Sequence, residues 1–253
     1  MAKPTAPSPA LPDFDLAEAR GFDPSALDTR LPLVRFILVL AGAFNDMKGV
    51  IYAAARLQEV APIAREKVSW TGQLAGMQIQ TIRLLAGILH ELMNMIDKEG
   101  AVVDSSEFNA IVARLPAPQR RAWTQVARIA RREDGAPTAA SSGSHLLCLI
   151  RNNLAFHYGT KVIAKGYGEF FADPTLKFRD KAVVSDGRNM EETRFYFADA
   201  AMEQGLKSLT GLSLHDLQGR LNSVGEAMNL ALKHIVMAYI AKVATPSRYV
   251  LRT

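Results

Sequence analysis

Residues 151–158 of this 253-residue chain read Arg-Asn-Asn-Leu-Ala-Phe-His-Tyr and continue an apolar helical stretch that begins Leu-Leu-Cys-Leu-Ile at 146. A fixed cation, two amides and an imidazole therefore fall within seven residues, and that set can do chemistry on a phosphate. The guanidinium of Arg151 offers a planar fork of donors that matches phosphate oxygens. An unperturbed imidazole titrates near pH 6.5, so His157 is a candidate general base or acid near neutrality. Asn152, with Asn153, is placed to orient a substrate or the His157 ring. The plain alternative is a polar, solvated face on a helix that is otherwise core.

On one regular helix over about 145–165, with roughly 100° per residue, Arg151 and His157 point some 120° apart. Asn153 and His157, four apart, share a face, and so do Arg151 and Tyr158, seven apart. A site that uses both side chains therefore gains from a second copy of the helix facing the first, as a homodimer would supply. A similar spacing recurs at Arg83 and His90, with six residues between them. There Leu84 follows the arginine and no amides stand beside it, so that pair is expected to be structural.

The run Arg-Leu-Pro-Ala-Pro-Gln-Arg-Arg-Ala-Trp-Thr-Gln-Val-Ala-Arg-Ile-Ala-Arg-Arg-Glu, 114–133, is a second candidate. On a helix Arg121, Arg128 and Arg132 share one face, while Trp123, Val126, Ala127 and Ala130 share another. Either the arginines form an ordinary solvated face, or they are a stripe that contacts RNA phosphates. A net charge of +5 and a pI near 9.4 are compatible with an anionic partner.

Other chemistries find no residues to carry them. The five histidines, His90, His145, His157, His215 and His234, include no two that are three or four apart, so no helix presents a pair of metal ligands. Cys148 is the single cysteine, which excludes an internal disulfide and a cysteine zinc cluster. No glycine-rich phosphate loop, dinucleotide fingerprint or nucleophile elbow is present. No metal and no cofactor are expected.

The segment around 151 resembles the HEPN superfamily, helical-bundle proteins that include many prokaryotic RNA-cleaving toxins and defence factors. The family motif is an arginine followed, after four to six residues, by a histidine, with a polar residue (often asparagine) directly after the arginine. Arg151, Asn152 and His157 match it with five residues between. The resemblance covers this helix closely and the rest of the chain as all-α architecture. It implies a metal-independent endoribonuclease, a bacterial toxin or phage-defence component, in which the ribose 2′-hydroxyl attacks the neighbouring phosphate. His157 would move the proton, Arg151 would hold the phosphate, and Asn152 would orient one or the other, leaving a 2′,3′-cyclic phosphate and a 5′-hydroxyl. It further implies a site shared by two protomers and, for a toxin, an antitoxin or other defence-system partner protein. Some members carry a tyrosine two residues after the histidine that partner enzymes modify; Tyr158 follows His157 directly and departs from that pattern. The residues themselves leave two rival readings open. One is a non-catalytic module that binds nucleic acid or nucleotide; the other is a helical scaffold whose seams at 82–96 and 217–238 pack partner proteins.

The elements that must position these residues follow from apolar spacing. Residues 1–30 begin with a Pro-, Ala- and Ser-rich stretch too poor in large apolar groups to fold alone, and are expected to be a flexible N-terminal segment. Residues 31–253 are expected to form one helical bundle. A first helix starts near Leu33 with Phe36, Ile37, Leu40, Phe44, Met47 and Ile51 in helical period. A second follows Pro62, with the strict seam Ile82, Leu85, Leu89, Leu92, Ile96. Ser105 or Ser106 caps a short helix that ends near Leu115, before Pro116 and Pro118. The arginine-rich helix runs from about Gln119 to Glu133, and 134–144 form a loop. The motif helix spans about 145–165. Residues 166–198 read as an irregular insertion or β-hairpin around Asp186, Gly187 and Asn189. The last helix spans about 213–243, with Leu217, Leu221, Val224, Met228, Ala231 and Ile235 on one stripe. The N-terminus lacks the apolar core of a signal peptide. The longest unbroken apolar stretch, 36–44, has nine residues, far below the roughly 20 that cross a bilayer. A soluble, cytoplasmic protein with no membrane partner is the expectation.

Overall fold

The apolar stripes of four long helices have to be buried against one another, and the computed structural model does this around a central second helix. It describes residues 20–60, 72–134, 143–155, 157–173, 175, 181–185, 188, 193–245 and 247–248. After β1 (Arg20–Gly21) and a short 3-10 turn at Pro24–Ala26 come α1 (Pro32–Val60), α2 (Gly72–Lys98), α3 (Gly100–Val103), α4 (Ser106–Ala113) and α5 (Ala117–Ala130). There follow α6 (Gly143–Ile150), a π-helical segment (Arg151–Ala155) and α7 (Thr160–Ala172). The chain ends with β2 (Val184–Ser185), β3 (Arg194–Phe195), α8 (Tyr196–Thr210), α9 (Leu214–Val243) and β4 (Ser247–Arg248). The fold is all-α, with two small antiparallel pairings, β1 with β4 and β2 with β3, among the described residues.

The seam of α2 is fully spent inside the bundle. Ile82, Leu85, Leu89, Leu92 and Ile96 are all buried and α2 packs on α1, α5, α6, α8 and α9. The stripe of α9 is equally internal: Leu217, Leu221, Met228, Ala231 and Ile235 are buried against α5 and α1. Neither seam is available to a partner protein, which removes the feature on which the scaffold reading rested. Phe108 on α4 fills the bundle end, edge-on to Phe36 at 5.4 Å and to Trp123 at 5.2 Å between ring centroids.

Local rules set the shorter elements. The Ser105 hydroxyl accepts from Phe108 N at 3.2 Å and caps α4. Pro116 and Pro118 do more than end α4: they sit at the N-cap and first turn of α5, where the missing N–H costs nothing. Residues 20–30, expected in the flexible segment, are built into the fold, with Arg20 opposite Arg248 and Gly21 opposite Ser247; residues 1–19 lie outside the described residues.

The expected insertion at 166–198 is corrected at both ends. Residues 166–172 continue α7, and Tyr196 opens α8, a helix the periodicity does not reveal. The hairpin is real but small, with Val184 opposite Phe195 and Ser185 opposite Arg194; Asp186, Gly187 and Asn189 lie outside the described residues. Helices α7 and α8 cross at Gly166 and Gly205. A Cβ on Gly166 would collide with the Ala201 carbonyl and the Gly205 backbone, so the close approach requires glycine.

Counting unbroken apolar residues also understates α1. Over Pro32–Leu57 it reaches a mean hydropathy of 1.4, long and apolar enough by composition to cross a membrane. Its inward stripe, Leu33, Val34, Phe36, Ile37, Leu40 and Met47, is buried in packing on α2 and α9.

Candidate active site

The motif does not lie on one regular helix. Helix α6 ends at Ile150, the backbone widens into a π segment at Arg151–Ala155, and helix resumes only at Thr160. Asparagines are weak helix formers because their amides compete for backbone groups. Here the Asn153 amide donates to the Leu149 carbonyl at 2.9 Å, the acceptor that a regular helix would give to Asn153 N. Buried Leu147, Ile150 and Leu154 anchor the segment on the core, each worth about 1.5–3 kcal/mol.

A bend of this kind frees carbonyls, and each must find a donor. Gly159 N donates to Asn153 O at 2.8 Å and to His157 O at 3.1 Å. The carbonyls of Leu154 and Ala155 are taken by Arg83 of α2, through Nε and Nη2. Arg83 is 9% exposed, and the exposed Tyr158 ring lies over its guanidinium at 5.2 Å. A third donor of Arg83 reaches Met202 Sδ on α8 at 3.2 Å. The arginine of the second, unmotivated Arg–His pair is thus the cap of the π segment.

The bend overturns the expected divergence of Arg151 and His157. Arg151 Nη1 donates to His157 Nε2 at 3.1 Å and to Asn152 Oδ1 at 3.0 Å, while Nε donates to Glu91 Oε1 at 2.9 Å. Arginine and histidine meet within one chain, because the π segment and the turn at 157–159 replace the regular advance of 100° per residue. The geometric reason for needing a second copy falls away with it. The guanidinium can only donate, so Nε2 is the acceptor in this contact. His157 is exposed, and the Arg151 side chain is 30% exposed. Asn152 is fixed in turn, its Nδ2 donating to Cys148 Sγ at 3.2 Å. Among the described residues Arg151 Nη2 makes no hydrogen bond, which leaves its two N–H groups available to a ligand.

Glu91 and His90 complete the site from α2. Glu91 Oε1 lies 3.7 Å from His90 Nδ1, and Asn94 Nδ2 lies 3.1 Å from the same nitrogen. The His90 side chain is only 11% exposed. Burial holds its pKa below the ordinary histidine value, and the charges of Arg151 and Arg132 push the same way against Glu91. Sequence reasoning missed Glu91, although a signal existed. Between Gly72 and Ile96 the chain holds one cation, Arg83, and one carboxylate, Glu91; charges on so apolar a helix have to be partnered.

The arginine stripe is divided. Helix α5 stops at Ala130, and Arg132 has a left-handed backbone, φ 58°. It leaves the helical face and lies within electrostatic reach of His90. Arg121 and Arg128 stay on α5, exposed, and line a cleft with Arg220 of α9. Two further arginines of the run are structural: Arg120 Nη1 caps α4 by donating to Leu115 O at 2.7 Å, and Arg131 pairs with Asp104 at 2.5 Å. Arg151, Asn152 and His157 are therefore brought together, Asn153 and Tyr158 serve the bend, and the three stripe arginines separate into two places. Comparison with protein-family models, with curated proteins and with solved structures finds no match to this chain.

Proposed function

We propose that the chain is a metal-independent endoribonuclease of HEPN type, acting in the cytoplasm as a toxin or defence component. The observation that carries this reading is the contact of Arg151 Nη1 with His157 Nε2 at 3.1 Å, beside Asn152. It pairs a phosphate-binding cation with a proton-transfer group at an exposed position.

RNA supplies its own nucleophile, the 2′-hydroxyl next to the scissile phosphate. The two open N–H groups of Arg151 Nη2 receive a phosphate oxygen, and the guanidinium then turns from His157 toward the phosphate. His157 Nε2, released from Arg151, takes the 2′-hydroxyl proton as O2′ bonds to phosphorus; the P–O5′ bond breaks, and the leaving 5′-oxygen takes a proton back from the His157 imidazolium. The cation stabilises the charge that builds on the phosphoryl oxygens. Glu91 holds the guanidinium through Nε from behind, as a positioning residue. An exposed pair of this kind contributes at most about 1 kcal/mol to stability; its value is in orientation.

The two-protomer arrangement belongs to the proposal through the family resemblance, as does an antitoxin-like partner. The exposed Tyr158, whose ring lies over Arg83 at the site, offers an apolar surface for a second copy. The test is cleavage of end-labelled RNA in EDTA, with mass spectrometry of the product ends. A 2′,3′-cyclic phosphate formed by the wild type and lost in Arg151→Ala and His157→Ala is expected. Cleavage that persists in either variant refutes the assignment.

A further inference from the structure

Helix α1 buries one side and leaves the other bare. Leu33, Phe36, Ile37, Leu40 and Met47 are in the core, while Leu31, Arg35, Leu38, Gly42, Asn45 and Gly49 are all exposed along the opposite side. The exposed set advances by four, three, four, three and four residues, the spacing of a coiled-coil seam. Leu31 is 50% exposed, Leu38 41%, and Val39, at the edge of the same face, 46%. An ordinary solvated face would carry charged and polar side chains at this spacing. We infer that this face joins a second copy of the chain, the two α1 helices running antiparallel about a two-fold axis beside Leu40.

The order of residues along the seam points to that occupant. It runs large apolar, cation, large apolar, then small, polar, small. Turned end for end about position 40, it fits itself. Leu31 falls on the partner's Gly49, Leu38 on the partner's Gly42, and Arg35 on the partner's Asn45 with the partner's Asp46 beside it. A Cβ on Gly42 or Gly49 would meet no atom within 4 Å. Nothing within the chain therefore requires glycine there, and glycine inside a helix weakens it relative to alanine. Against a second copy the same positions are holes that receive leucine knobs. A parallel pairing would lay leucine on leucine, glycine on glycine and Arg35 on Arg35, with voids and like charges in contact.

The charges agree with the antiparallel order. Between Leu31 and Met47 the chain carries two, Arg35 and Asp46. Neither has an opposite charge three or four residues away, and neither makes an ion pair among the described residues. Antiparallel copies bring each arginine to the other's aspartate, one pair on either side of the axis. A lipid surface would instead have to take Asn45 and Asp46 into its apolar layer, which is costly. The overlap from Leu31 to Gly49 is about 27 Å long. One helix pair of that length is a small interface, so association in the micromolar range is expected. The contact uses no residue of the Arg151 site, is separate from the Tyr158 surface and does not rest on the ribonuclease reading.

The experiment is sedimentation equilibrium of the full chain from about 1 to about 100 µM, with circular dichroism as the folding control. The wild type is expected to self-associate. Gly42→Leu fills the hole and should raise the Kd at least about tenfold; the space beside Gly42 is open in the single chain, so the variant folds. Arg35→Asp and Asp46→Arg each set like charges face to face and should weaken association about as much. The double variant Arg35→Asp with Asp46→Arg should recover most of the wild-type affinity. A chain that stays monomeric at about 100 µM overturns the inference. So does self-association unchanged in Gly42→Leu, or a charge-swapped double variant no tighter than the single ones. Association lost in Tyr158→Ala and kept in Gly42→Leu places the contact at the Arg151 site; that outcome overturns the inference and leaves the ribonuclease reading standing.

Discussion

Two arginine–histidine pairs of nearly equal spacing face each other across α2 and the π segment, and they do opposite things. Arg83 and His90 lie on an unbroken helix, both largely buried. Arg83 is consumed by the Leu154 and Ala155 carbonyls, and His90 is held neutral by burial. Arg151 and His157 lie across a backbone defect in mutual contact, the histidine exposed and the arginine partly so, with donors to spare. On a regular helix the residues at 83 and 90 would share a face and those at 151 and 157 would diverge. Spacing alone therefore ranks the two pairs the wrong way round. Backbone irregularity brings Arg151 and His157 into contact, and Arg83 of the regular pair supplies its cap.

The comparison breaks most visibly in activity. Arg151→Ala and His157→Ala should each lower RNA cleavage about 100-fold or more while circular dichroism and Tm change little, since both groups are at the surface. If either variant melts well below the wild type and cleaves in proportion to its folded fraction, the two pairs are alike and both structural. Arg83→Ala should do the reverse. It strips the donors from two carbonyls beside the core, at about 1–3 kcal/mol for each left unsatisfied. A urea midpoint lowered at unchanged slope, corresponding to that loss of stability, is the expected reading. An unchanged midpoint would mean that the bend at 151–155 does not depend on its cap.

How legible this was depends on the kind of force involved. The seams of α2 and α9, the Ser105 cap and the all-α class could be read directly, because periodic burial and capping act within a few residues. Helix α8 could not, since its packing on α7 runs through Gly166, Gly205 and Ala201, small residues that leave no hydrophobic period. The β1–β4 pairing joins opposite ends of the chain through two residues each, too short to pattern a sequence. In the candidate site, Arg151, Asn152 and His157 were legible as types. Their contact was not, because it depends on Arg83 capping the bend from α2. Glu91 shows the same limit: its neighbours on the chain are Leu92 and His90, and its partner Arg151 is sixty residues away.

Gly159 tests the bend itself. Its φ is −63°, so no unusual backbone requires glycine there; the constraint is space. A Cβ would sit 2.8 Å from the Asn153 carbonyl oxygen, the acceptor of the bond that closes the turn. Gly159→Ala should therefore open the turn, separate His157 from Arg151 and lower cleavage about tenfold, given how steeply catalysis depends on sub-ångström placement. The fold should persist, with a cost of about 1–3 kcal/mol for the forced shift. Full activity in this variant would show that the turn is not what brings the pair together.

The smallest effect should come from His90, and it sharpens the contrast through pH. Its folded-state pKa is lowered, chiefly by burial, with Arg151 and Arg132 adding to the shift and Glu91 opposing it. Near neutrality both folded and unfolded chains hold the ring uncharged, and the full stability is present. As pH falls through the ordinary histidine value, the unfolded chain takes up a proton that the folded one resists, and stability declines until the folded-state pKa is passed. Tm should therefore drop between pH 7 and pH 5 more steeply in the wild type than in His90→Gln, which keeps an amide near Asn94 and cannot charge. The difference should be modest, because the Glu91 carboxylate beside the ring is half exposed and offsets part of the burial penalty. A parallel decline in both proteins would mean that His90 titrates as it does in water, and the buried half of the comparison would lose its histidine.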